Sequence, residues 1–456
     1  MKKWMKLLGL ATLLTLVSCS NDDYVNVIPG ESVALVSIDV PQLTTQQDAQ
    51  QSGKLFQSLL GTDNPADCGI DIEVPLYFFE TADGTLGLCA KVKDDGRLDD
   101  FLNNTLHKRG DCHPTTERKG FRFTVLKNSW VLGFSSRSLL LMGPVVKTEQ
   151  ARLQQQMARY LEANEEDGIL SSPLYDRLDS IDAPIRMVAR AQALPEVLMA
   201  PATLGLPKDT DASRALLSAG VKVTDGVVVI EGNTFSLNAD IDAVLKKSHE
   251  VYRPITSDYV LKMSKDDLGG VFLNVEGESL LGLLRSNKGI QALLAGINTA
   301  VDMDNIIRSI DGDALFLMKN GSKRMAMSAR LSSPDWLKDV DYWKTSCPQG
   351  SRIEDKGKNT FCYIDGSQDN QQAFYFGVTD DNRFWGGTGS EAASVLQPSP
   401  TPLPKAVQSQ VIGQKMAIVV NFKALEKELG KEASELIGRW IRPLLGDVNT
   451  IIYIQQ

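Results

Sequence analysis

Cys19 is the residue whose neighbours most plainly set up a reaction. It follows Leu16-Val17-Ser18, and the four together have the form of a lipobox. In that motif the Cys sulfur takes a diacylglycerol, the chain is cut ahead of the Cys, and the freed amine is acylated. Upstream stand Lys2, Lys3 and Lys6, then the apolar run Leu7 to Val17. A basic start, a short apolar core and a small residue before the cut make a secretory signal peptide. The run is too short to cross a bilayer as a stable helix. Residues 1–18 are therefore expected to leave, with Cys19 as the first mature residue. One acyl chain holds a protein to a membrane weakly, and two or three hold it firmly.

The other chemistry-bearing residues are sparser. Cys68, Cys89, Cys112, Cys347 and Cys362 remain after Cys19. An exported chain meets oxidising conditions, so disulfides are allowed. Cys347 and Cys362 flank a loop, and their spacing allows a bridge across it. Of Cys68, Cys89 and Cys112, at least one stays free or pairs outside the chain. The sequence holds no Cys-x-x-Cys, and His107, His113 and His249 do not stand at metal spacing, so neither metal nor cofactor is expected. No Gly-x-Ser-x-Gly elbow occurs, and Gly387-Thr388-Gly389-Ser390 reads as a turn with Ser390 capping a helix. The paired carboxylates Asp94-Asp95, Asp99-Asp100, Asp266-Asp267 and Asp380-Asp381 read as turns and helix starts, where negative charge suits the dipole. No catalytic residue is assigned. Trp336 and Trp343 lie seven apart on an expected helix and so face one side. That spacing gives a core stripe, and the same pair, if exposed, would be a platform for a sugar ring.

Charge narrows the partners. The whole chain carries −9, and without Lys2, Lys3 and Lys6 the mature chain carries −12. An acidic surface repels phosphate backbones, so nucleic acid is not an expected ligand. Removing 18 of 456 residues leaves 438, too many for one ordinary core.

These residues must be held by strands and helices whose order recurs. Ser32–Asp39 alternates as a half-buried strand does, and a helical stretch follows at 53–60. A hairpin turns at Asp83-Gly84 between 75–80 and 86–92. A helix near 97–106 precedes strands at 119–125 and 130–134. The second half repeats the order with a strand at 270–275, a helix at 280–294 and a hairpin turning at Asn320-Gly321. A helix at 334–344 and strands at 360–364 and 373–377 complete it. Cys112 precedes Lys119-Gly120 as Cys347 precedes Lys356-Gly357. The offset is about 235 residues, and we read it as an internal duplication. The first unit closes on strands near 184–190, 220–223, 226–230 and 234–240. The second closes only on 415–421, a helix at 423–429 and a last strand at 451–454.

The expected fold is therefore α+β, with two tandem related units of mostly antiparallel sheet and helices packed on one face. The segments are a signal peptide 1–18, a lipidated tether 19–30, a first unit 31–248, a linker 249–267 and an abbreviated second unit 268–456. Pro398 to Pro404 reads as a stiff, extended connector.

The acidic tether, Tyr24-Val25-Asn26-Val27-Ile28-Pro29-Gly30 and Val33-Ala34-Leu35-Val36-Ser37-Ile38-Asp39 resemble the start of an uncharacterised Bacteroidetes lipoprotein family with a large domain of unknown function. The resemblance spans about the whole mature chain. It implies an envelope location and a two-part α+β build, and brings no catalytic residues with it. Ser20 after the Cys resembles an outer-membrane sorting signal, and Asp22-Asp23 resembles a surface-export signal. The expected function is a non-enzymatic lipoprotein that binds or scaffolds a protein partner and is held to outer-membrane lipid through Cys19. A glycan-binding surface lipoprotein, with Trp336 and Trp343 as platform, and a glycan hydrolase are the alternatives.

Overall fold

The computed structural model describes residues 22–45, 65–194, 204–206, 210–286, 291, 301–320, 324–366, 372–428, 435 and 442–455. Cys19, the signal peptide and the expected helix at 53–60 lie outside the described residues. Contacts divide the described chain in two. Residues up to Pro41, with Pro65–Ser180, form a first compact unit, and Ile181 onward belongs to a second. The segment 249–267, expected as a linker, lies within the second unit.

The first unit is built on β1 (Ala34–Ile38), β2 (Ile70–Asp71), β3 (Leu76–Glu80), β4 (Leu86–Val92), β5 (Thr116–Arg118), β6 (Phe121–Leu126), β7 (Trp130–Phe134) and β8 (Ser138–Gly143). Their antiparallel registers run β1–β3–β4–β8–β7–β6–β5, and β2 pairs with the far end of β4. Two tight turns set this meander. Lys119-Gly120 and Lys127-Asn128 both hold positive φ at successive residues, the backbone that suits the twist of a two-residue hairpin loop. Leu98, Phe101 and Leu102 of the helical stretch from Asp95 are buried, and Asp94 caps its start by accepting from the Arg97 amide.

The chain enters this unit through a buried turn. The 3-10 turn Asp23–Val27 buries Tyr24, Val25, Asn26 and Val27, and Ile28 follows at 0% exposure. Residues 24–28 are therefore core rather than tether. The Tyr24 hydroxyl donates to the Pro75 carbonyl at 2.6 Å, and the Cys89 thiol donates to the Tyr24 carbonyl at 3.4 Å. Pro29 forms a bridge with Gly168.

The second unit holds β9 (Ile185–Arg190), β10 (Leu216–Thr224), β11 (Val227–Phe235), β12 (Gly269–Glu276), β13 (Ile310–Met318), β14 (Met325–Leu331), β15 (Arg352–Gly357), β16 (Thr360–Asp365), β17 (Gln372–Val378), β18 (Arg383–Thr388), β19 (Met416–Asn421) and β20 (Thr450–Gln455). Pairing runs β9–β10–β11–β20–β19–β12–β13–β14–β18–β17–β16–β15. Among the described residues only β11–β20 is parallel. The stretch from β12 to β15 follows the same order as β1 to β5 in the first unit. The turn matching Lys119-Gly120 falls at Lys358-Asn359, because Gly357 sits in a register shift of β15. The Lys-Gly pairs therefore match in sequence and not in structure.

The last strand is not an exposed edge. β20 lies between β19 and β11 and so joins strands from both halves of the sequence. A Cβ on Gly232 would fall 2.4 Å from the Tyr453 ring, so the bare backbone of β11 lets that ring lie over it.

Helices cover both faces of this sheet, not one. On one face Phe272, Leu315, Leu317 and Trp385 pack with Val260, Val395 and Val407. On the other, Val275, Leu331 and Phe376 pack with Leu280, Ile306 and Trp336. In β13 the alternation puts Leu315 and Leu317 in the first of these clusters and Ala314 against the second, while Met318 at the strand end is 48% exposed. The Pro-rich segment is extended as expected but docked. Ser399 donates to the Leu261 carbonyl, Leu403 to Met263, and Lys265 to Thr401. Ser264 and Pro402 form a bridge there, in the place that Pro29 and Gly168 hold in the first unit.

Candidate functional site: a buried lysine, tyrosine and serine

The site is built where the short helix Ser257–Val260 meets β13, β14 and β18. Asp313 of β13 anchors the helix start by accepting the Thr256 amide at 2.9 Å and its hydroxyl at 2.8 Å. The chain keeps turning past the helix, with Lys262 donating to the Tyr259 carbonyl and Met263 to that of Val260. Tyr259 and Lys262 are thus one turn apart and share a side. Strand alternation and register place Asp313 and Leu315 of β13, Ser328 and Arg330 of β14, and Arg383 and Trp385 of β18 on one face.

Tyr259 links two other polar groups here, Lys262 over its ring and Ser328 beside its phenol, and all three lack hydrogen-bond partners. The Lys262 ammonium lies 3.6 Å from the centroid of the Tyr259 ring. Lys262 is 4% exposed and Ser328 1%. Lys262 Nζ, Tyr259 Oη and Ser328 Oγ are each buried with no hydrogen-bond partner. Burial, and then the Arg383 charge, lowers the Lys262 pKa to about 8, against the pull of Asp258, Asp313 and Asp381. Burial pushes the Tyr259 phenol up to about 12, although the neighbouring Ser328 hydroxyl draws it down. Ser328 is thus close enough to act on the phenol, while neither hydroxyl closes a hydrogen bond of ordinary geometry. The carboxylates nearby are engaged elsewhere. Asp313 holds Thr256, and Asp381 holds Thr379 and Arg383. Chemically, this is a weakly basic amine beside two hydroxyl donors, closed to large molecules.

Sequence reasoning passed over this cluster because it falls in the supposed linker. The signal was there, since Tyr259-Val260-Leu261-Lys262-Met263 embeds one lysine in an apolar run. Tyr252, Ile255, Tyr259, Val260 and Met263 of the same segment are all buried.

The residues singled out from sequence lie elsewhere. Trp336 and Trp343 stack at 5.8 Å with rings 4° from parallel, at 2% and 4% exposure. Phe361, Phe376 and Phe384 surround Trp336. The pair is a core stripe, not an open platform. Cys347 and Cys362 are free thiols. The Cys347 thiol donates to the Trp343 carbonyl at 3.2 Å, while burial and then the Tyr375 hydroxyl shift Cys362, so each faces its own surroundings. Cys89 and Cys112 are buried free thiols, and Cys68 is buried. Cys112 donates to the Leu102 carbonyl in the helix ahead of it, as Cys347 does with Trp343. His107 bonds the Cys112 carbonyl and His113 the Asn128 side chain. Ser390 caps no helix, since Gly387-Thr388 ends β18 and the following 3-10 turn starts after Glu391.

Fold and site together define a mixed α/β protein on a large, mostly antiparallel sheet, with one unpartnered polar cluster inside its second unit. The family model described as a domain of unknown function (DUF4836) matches residues 24–338, and the chain belongs to that family. No curated protein matches the chain. Among solved structures it is similar to crystal form IV of TP0453, at 9% identity over 44% of this chain and 76% of that one, with a TM-score of 0.28. Crystal form III of TP0453 covers 82% of this chain and 96% of that one, at 6% identity and a TM-score of 0.23. Both likenesses are too distant to inform the fold.

Proposed function

We propose that this chain is an outer-membrane lipoprotein of the Bacteroidetes type, held by an acylated Cys19, that binds or scaffolds another protein and catalyses no reaction. The observation that carries the reading is the lipobox Leu16–Cys19 standing directly ahead of a buried domain entry at Tyr24. The folded body is thereby tied at its first turn to whatever holds Cys19. Burial of Trp336 and Trp343 removes the platform on which a glycan reading rested.

We also infer that the body arose by tandem duplication. The shared strand order supports this, as do the paired entries Tyr24-Val25 and Tyr259-Val260 and the matching bridges Pro29–Gly168 and Ser264–Pro402. In this reading β10 and β11 follow the first copy, and β20 follows the second to close the sheet.

Labelling cells with an alkyne palmitate tests the anchor. The wild-type chain is expected to take label and sediment with outer membranes, whereas Cys19→Ala takes none. An unlabelled wild-type chain would overturn the reading. Protease treatment of intact cells then assigns the membrane face, and cross-linking on that face followed by recovery of one recurrent protein is the expected sign of a partner.

A further inference from the structure

We propose that Lys262 Nζ, Tyr259 Oη and Ser328 Oγ form a buried receptor for one small monovalent anion. More than nine in ten buried polar groups in folded proteins are hydrogen-bonded. Here three unpartnered ones are gathered about one side chain, Lys262 over the Tyr259 ring and Ser328 beside its phenol, and all three can donate. A missing acceptor satisfies them at once. The ring face of Tyr259 meets one side of the ammonium, which carries three N–H bonds. Lys262 makes no ion pair among the described residues, and an unpaired buried ammonium is costly. The surrounding charge comes from Arg383 and Asp381 on β18, Arg330 on β14, Asp313 on β13 and Asp258 on the helix itself. Asp381 and Arg383 pair with each other, and Thr256 holds Asp313 without cancelling its charge. Lys262, Arg330 and Arg383 therefore match Asp258, Asp313 and Asp381 in number, and an anion is drawn by the donors rather than by surplus charge.

The corresponding place in the first unit shows that the fold does not require this polarity. There Tyr24 has a carbonyl acceptor, and Cys89 takes the position of Ser328, as the strand registers align them. The closed surroundings favour an ion of a few atoms, such as a halide or formate.

The test uses the full-length chain in detergent at fixed ionic strength, exchanging gluconate for bromide. Wild type is expected to gain about 3 °C in its melting midpoint, saturating with bromide. Lys262→Met and Ser328→Ala should lose most or all of the gain, and the gain should fade as pH rises through about 8, where the ammonium is lost. A crystal grown with bromide should show anomalous density within hydrogen-bond distance of all three atoms. Water alone at that position, or equal midpoints in bromide and gluconate, would overturn the proposal. The crystal result stands even if the Lys262 variant does not fold.

Discussion

The entry turns of the two units make an informative pair. Each begins with Tyr-Val, each lies over the central strands of a sheet with the same order, and each is pinned by a short bridge to a later segment. At Tyr24 the hydroxyl and the thiol offered by the strand beneath are both paired, although Asn26 Oδ1 of the same buried turn has no partner. At Tyr259 the strand offers a hydroxyl, a lysine joins in, and three donors are left over. The shared frame therefore tolerates both a closed apolar contact and a polar pocket. What distinguishes them is a few side chains, not the backbone. A buried group without a partner costs about 1–3 kcal/mol, and the Tyr259 contact gathers three of them.

Deleting β20 should have the largest effect. It would expose the edges of β19 and β11 together, and the second unit should lose its cooperative melting transition while amides of β4 and β8 stay protected from exchange. Equal loss of protection in both units would break the comparison. Trp336→Ala should cost about 3–5 kcal/mol, read as a lower denaturation midpoint confined to the second unit. Lys262→Met in gluconate buffer at pH 7 should stabilise by about 1–3 kcal/mol. The sign follows from linkage. The folded pKa near 8 lies below the ordinary lysine value of 10.5, so the unfolded chain binds more protons between them. Wild-type stability should rise relative to the variant across that window, and a flat difference would show that the lysine is not desolvated. Tyr24→Phe and Tyr259→Phe sharpen the contrast further. The first loses a hydrogen bond to Pro75 and should cost about 1 kcal/mol, whereas the second should be neutral or stabilising in gluconate. Cys347→Ser should change little, and mass analysis should find no bridge to Cys362.

The hairpins were legible because alternation and turn residues agree, as at Asp83-Gly84. The missed strands include two of the sheet centre, β8 and β18, beside the edge strands β5 and β15. β8 reads Ser-Leu-Leu-Leu-Met-Gly, with no alternation to betray it. β18 carries Gly386-Gly387, which looks like a turn. A Cβ on Gly387 would lie 2.3 Å from the Met325 carbonyl, so the glycines mark close strand packing. The Tyr259 cluster was illegible for a different reason. A lysine reads as surface, and only its neighbours in three distant strands make it interior.

The burial of Tyr24 also fixes a length. If Cys19 bears the lipid, five residue steps separate it from Tyr24, a span of at most about 17 Å. That is only about two to three times the thickness of one headgroup layer. The first unit could neither swing far nor reach past a crowded surface coat. Any partner would have to come to it within the plane of the membrane, so encounters would depend on lateral diffusion more than on capture from the bulk.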